Sequence, residues 1–75
     1  MGTVIQKVSD LGSMVRLRRK KMGYTQAQTA ELCGTGTRFI SELESGKDTV
    51  EFGKALIVVL TLGIDLVAQE RGTER

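Results

Sequence analysis

Apolar positions in the first third of the chain follow a helical repeat. Leu11, Val15, Arg19 and Met22 lie at i, i+4, i+8 and i+11, which predicts a helix from Ser9 or Asp10, either of which can cap it, to about Met22. One member of that inward stripe is an arginine, whose charge needs a partner. Met1 to Val8 is β-permissive. From Thr25 to Lys47 the pattern predicts two short helices hinged at glycines: Thr25 caps the first, Ala30 is small where two helices approach, and Gly34 relieves the turn. Ile40 and Leu43, three apart, face inward, leaving Thr37, Arg38 and Ser41 on the opposite side. Gly46-Lys47-Asp48 closes that helix.

A fourth helix starts at Thr49 or Glu51 and runs through Leu62, with Gly63 as its stop. Phe52, Ala55, Leu56, Val59 and Leu62 form one apolar face, and Ile57, Val58 and Leu60 lie outside it. A helix apolar over most of its circumference needs cover from more than one side, and a second subunit is the expected cover. Ile64 to Arg71 alternates Ile64, Leu66 and Ala68 against Asp65, Val67 and Gln69, which predicts a strand. A lone strand leaves its backbone groups unpaired, so pairing with a symmetry mate is expected. The expected dimer interface is Val58, Val59, Leu62, Ile64, Leu66 and Ala68, with the end of the chain from Gly72 to Arg75 frayed.

Seventy-five residues with 40% apolar content provide for one small domain over 1–75, helical over about 9–63 and carrying a dimerisation strand at 64–71. A core of that size is marginal alone, which again favours a dimer. Three aromatic residues and no tryptophan disfavour stacking recognition of single strands. The duplex is the better nucleic-acid partner. Net charge is only +2 but uneven: residues 1–50 hold eight Lys/Arg and five Asp/Glu, and residues 51–75 hold three and four. The basic half contains the two-helix motif.

Several chemistries are disfavoured. With no histidine and one cysteine, Cys33, neither a cysteine/histidine zinc site nor an intrachain disulfide can form, and Cys33 lacks a base to activate it. The expectation is therefore no metal, no cofactor, no catalytic residues and no enzyme. A lone thiol and the absence of a leader pattern at Met1 to Asp10 suit the cytoplasm. Ala55 to Leu60 is apolar but is interrupted well short of the ~18 to 20 residues that a membrane span needs. Gly34 and Gly36 follow no strand and precede no Walker lysine, so they are no phosphate cradle. Asp48, Glu51 and Asp65 have no calcium-loop spacing.

From Leu11 to Leu66 the chain resembles the Xre/Cro-like helix-turn-helix repressors, and within them the HipB-like antitoxins of type II toxin-antitoxin pairs. The resemblance is carried by Leu11-Gly12, Val15-Arg16-Leu17-Arg18-Arg19-Lys20, Thr25-Gln26, Arg38-Phe39-Ile40-Ser41-Glu42-Leu43-Glu44-Ser45-Gly46-Lys47 and Leu62-Gly63. It implies an all-α, lambda-repressor-like bundle with a short C-terminal β-strand paired across a two-fold dimer. The third helix would enter the major groove, with half-sites on the order of 34 Å apart. Carried over by position, Gln26 bonds a phosphate, Lys47 meets backbone, Thr35, Thr37, Arg38 and Ser41 complete the DNA-facing set, and Arg38 is the candidate for reading a guanine. Arg19 falls where such repressors bury an arginine against a glutamate, here Glu44, which explains the charge on the inward stripe.

The family commonly has leucine at Thr29, an apolar residue at Thr35 and a serine or threonine cap at Gly36, which leaves the cap of the third helix open. Ile57 and Leu60 replace usually polar residues and face either the dimer partner or a toxin. The implied function is a repressor of its own operon on palindromic double-stranded DNA that also neutralises a HipA-like serine/threonine kinase toxin. The alternatives are a stand-alone regulator of prophage or restriction-control type, and a module that mainly binds a protein.

Overall fold

A computed structural model describes residues 2–72. Four helices follow one another: α1 (Val8–Lys21), α2 (Gln26–Cys33), α3 (Thr37–Glu44) and α4 (Phe52–Thr61). The first begins before its expected start, with Lys7 rather than Ser9 or Asp10 as its N-cap. Asp10, in its first turn, reaches back to accept the backbone N–H groups of Gln6 (2.9 Å) and Lys7 (3.2 Å), so the carboxylate caps the helix from inside it. Four basic residues, Arg18 to Lys21, occupy its last turn, where the helix dipole favours cations.

Thr25 caps α2 as expected, through a reciprocal pair. Its hydroxyl accepts from Gln28 N–H (3.0 Å), and its own N–H donates to Gln28 Oε1 (2.9 Å). At the far end Gly34 has φ 70°, and the N–H groups of Gly34 and Thr35 bond back to Glu31 and Ala30. This double bond requires a left-handed residue, which glycine supplies without steric cost. The same pair of bonds ends the other three helices, and at α4 it runs from Gly63 and Ile64 to Leu60 and Val59. The sharp turn between α2 and α3 is therefore set by backbone geometry rather than by loop packing.

Leu11 and Val15 of α1, Ala30 of α2, Ile40 and Leu43 of α3, and Ala55, Val58, Val59 and Leu62 of α4 form the core, joined by Ile64. Gly12 lets α1 approach α3 closely, since a Cβ there would run into the carbonyl oxygen of Leu43. Two expectations for α4 are corrected. Phe52 is exposed and Val58 fully buried, because α4 turns its Val58/Val59 side into the bundle rather than the face predicted to start at Phe52. Val58, Val59, Leu62 and Ile64, expected at a dimer interface, are sealed inside the subunit's own core. Of that set only Leu66 and Ala68 are exposed.

Residues 64–70 form no strand among the described residues, and past the bond from Ile64 to Val59 no backbone hydrogen bond between described residues involves 65–70. A ladder needs a second strand, and a single subunit does not supply one. The frayed end expected at Gly72 to Arg75 lies, from 73 on, outside the described residues. No helix is long and apolar enough to cross a membrane among those residues.

Candidate nucleic-acid interface

The third helix divides into two sides. Ile40 and Leu43 have no solvent exposure, whereas Thr37, Arg38 and Ser41 are exposed on the surface opposite. With eight residues, α3 is too short to hold its orientation by itself, so its outward side is fixed by what grips the inward one.

That grip is polar as well as apolar. Arg19 of α1 donates through Nε and Nη2 to Glu44 Oε2 (2.6 Å) and Oε1 (3.0 Å) at the end of α3, and through Nη1 to the Tyr24 carbonyl (2.8 Å). Gln26, the first residue of α2, donates from Nε2 to Glu44 Oε1 (3.1 Å). One carboxylate thus ties together α1, α2 and α3. Burial alone would raise the Glu44 carboxyl, but the hydrogen bonds from Arg19 and Gln26, helped by the charges of Arg19 and Arg16, prevail and hold it below its usual value. The Glu44 hydrogen bond raises the Arg19 guanidinium above its usual value against the opposing effect of burial. Both groups are charged at neutral pH.

On the open side a second carboxylate gathers cations. Glu42 Oε2 accepts from Arg38 Nε (3.1 Å) and from Lys47 Nζ (3.1 Å). The lysine, then the arginine, lower the Glu42 carboxyl. Thr35 is half-buried, and its N–H is committed to the turn. Gln26 is half-buried with its amide nitrogen on Glu44. Gly36 is the N-cap of α3 and no side chain caps it, so the open question about that cap resolves to bare backbone. Thr37, Arg38, Ser41 and Lys47 therefore share one exposed surface, with Arg38 and Lys47 linked through Glu42.

Two participants were not singled out from the sequence. Glu42 carries a readable signal, lying four residues after Arg38 on one helix. Arg18 carries none, because its contact is 44 residues away: Nε donates to the Leu62 carbonyl (2.8 Å) at the end of α4. There it satisfies a terminal carbonyl and fixes the exit of the chain toward Ile64.

Cys33 is half-buried, and burial pushes its thiol up while a hydrogen bond with Thr61 opposes that shift. A raised thiol is a poor nucleophile. No group of three or more metal-binding side chains occurs among the described residues.

The model of the helix-turn-helix family matches residues 15–68. An uncharacterized HTH-type transcriptional regulator of Sinorhizobium fredii, y4mF, is 43% identical over 70 residues, covering 91% of this chain and 92% of that protein. The protein belongs to the Xre-like helix-turn-helix family and is a DNA-binding transcriptional regulator. Solved structures similar in fold include a HipB-O4 20mer complex (TM-score 0.82) and a HipA-HipB-O2-O3 complex (TM-score 0.83). Each is 20% identical and spans 93% of this chain and 99% of its own.

Proposed function

We propose that the protein is a homodimeric repressor that reads a palindromic operator with α3 and acts in the cytoplasm as the antitoxin of a HipA-like kinase. The observation that carries the DNA reading is the division of α3, with Ile40 and Leu43 sealed inside and Thr37, Arg38 and Ser41 turned out. Lys47 shares that surface and is assigned to the phosphate backbone, whereas Gln26 and Thr35 are committed to Glu44 and to the α2 turn.

The dimer is supported by a groove of ≈ 890 Å³ between the N-terminal segment and residues 63–69. Its walls include the exposed side chains of Val4, Leu17, Phe52, Leu66 and Val67. Unpaired backbone beside apolar surface is what a second copy of the 64–71 segment would cover, by strand pairing. Ile57 and Leu60 are 52% and 67% exposed and lie outside that groove, which leaves them for a different protein. The antitoxin role draws on the HipB complexes among the similar folds. A stand-alone regulator is the second reading, favoured by the relative described only as a transcriptional regulator.

Gel-shift titration of the protein on DNA from upstream of its own gene tests the repressor. Specific binding that weakens steeply with salt is expected. Absence of such binding, with or without a co-expressed partner, contradicts it. A kinase gene in the adjacent reading frame, whose product co-purifies with this chain, selects the antitoxin role over the stand-alone regulator.

A further inference from the structure

We propose that Glu42 is a specificity-determining positioning residue, one that holds Arg38 by Nε so that both terminal guanidinium nitrogens remain free to span O6 and N7 of one guanine. The inference rests on the DNA-reading role of α3 and deepens it.

The geometry is asymmetric in a useful way. Arg38 is bound to Glu42 through Nε, at 3.1 Å, and its Nη1 and Nη2 have no protein partner among the described residues. The side chain of Arg38 is 88% exposed and that of Glu42 is 27% exposed, so the cation is the more accessible partner of the pair. A guanidinium presents its donors in a planar fork, and the terminal pair matches the two acceptors of guanine in the major groove. Fixing Nε fixes the plane of that fork. A free arginine loses many rotamers on binding, whereas one already held loses fewer, and the saving is realised only where the fork meets its target.

Lys47 joins the arrangement. Its Nζ bonds the same Oε2 at 3.1 Å, so one carboxylate oxygen is shared by Arg38 and Lys47. The Glu42 charge also repels the DNA backbone, which weakens binding to every duplex alike and leaves the choice of base to the hydrogen bond on Arg38. The carboxylate thus favours the base-reading pose of Arg38 without itself touching the duplex.

Fluorescence anisotropy of the full chain tests this, on the upstream operator duplex and on the same duplex with its most Arg38-sensitive G·C pair replaced by A·T. The quantity is the ratio of the two Kd values, which cancels any loss of folded protein common to both. Glu42→Ala should lower that ratio roughly threefold to tenfold and tighten binding to a random duplex. Glu42→Gln, whose amide oxygen still accepts from Nε, should keep most of the ratio while tightening random binding. In an Arg38→Ala background, Glu42→Ala should leave the ratio unchanged to within about twofold.

A Glu42→Ala ratio equal to that of the unsubstituted protein overturns the proposal, as does an equal fall in both backgrounds. Collapse of the ratio in Glu42→Gln to the Glu42→Ala level assigns the effect to charge and overturns the positioning role. If no G·C pair responds to Arg38→Ala, the base-reading role of Arg38 fails and overturns the proposal with it, an outcome distinguishable from the others because it appears without any Glu42 substitution.

Discussion

Arg19 and Glu44 form a two-pronged ion pair, both carboxylate oxygens engaged, with the two side chains 9% and 4% exposed. The pair sits where α1, the turn at Tyr24 and the start of α2 converge on the end of α3, so it anchors the end of α3 to both preceding helices. Removing one member strands a desolvated charge. Glu44→Ala and Arg19→Met should each cost about 3 kcal/mol in urea unfolding, a large part of the stability of so small a domain. If both variants keep the midpoint of the unsubstituted protein, the pair contributes nothing to the fold.

The lowered Glu44 carboxyl makes stability depend on pH. Because its folded value lies below its unfolded one, its contribution is complete above the ordinary glutamate value of about 4.3 and is lost as pH falls through the lowered folded value. Urea midpoints should fall steeply on acidification in that window, and Glu44→Gln should flatten this limb. An identical acid limb in both proteins would place the acid sensitivity in other groups.

Thr29 is fully buried in α2, and its hydroxyl has no hydrogen-bond partner. Valine has the same shape without the stranded polar atom, so Thr29→Val should stabilise by about 1 kcal/mol, or roughly 4–8 °C in Tm for a domain of this size. Unchanged or reduced Tm in a thermal melt would show that the hydroxyl is satisfied in solution.

The helices, the Thr25 cap of α2 and the burial of Arg19 were legible in the sequence because they depend on short spacings, as do the glycine stops and the inward pair Ile40 and Leu43, whereas the N-cap of α1 is Lys7 rather than Ser9 or Asp10, and α3 has no side-chain cap. The facing of α4 was not. With apolar side chains on nearly every side of Phe52–Thr61, periodicity does not choose a face, and contact with the rest of the bundle selects Val58 and Val59 over Phe52. The burial of Val58, Val59, Leu62 and Ile64 in the subunit's own core has the same origin, since the bundle itself covers the apolar surface for which a second subunit was expected. The contact of Arg18 with Leu62 was not legible because it joins distant parts of the chain. At the candidate site, the exposed set Thr37, Arg38 and Ser41 followed from helical geometry, whereas the commitment of Gln26 to Glu44 depends on tertiary packing.

Arg38→Ala should weaken binding to the operator by about 1–3 kcal/mol and relax preference at one base pair, measured by competition among single-substituted duplexes. Uniform weakening across all of them, with a shallower salt slope, would identify Arg38 as a phosphate contact instead.

Methylation interference on the upstream operator tests the central claim most directly, that α3 of each protomer enters a major groove. N7 of guanine lies in that groove, and a methyl group there blocks a guanidinium. The prediction is two clusters of interfering guanines related by a two-fold axis and about one helical turn, roughly 34 Å, apart. Specific binding with no guanine N7 interference, or with a single unpaired cluster, would contradict it.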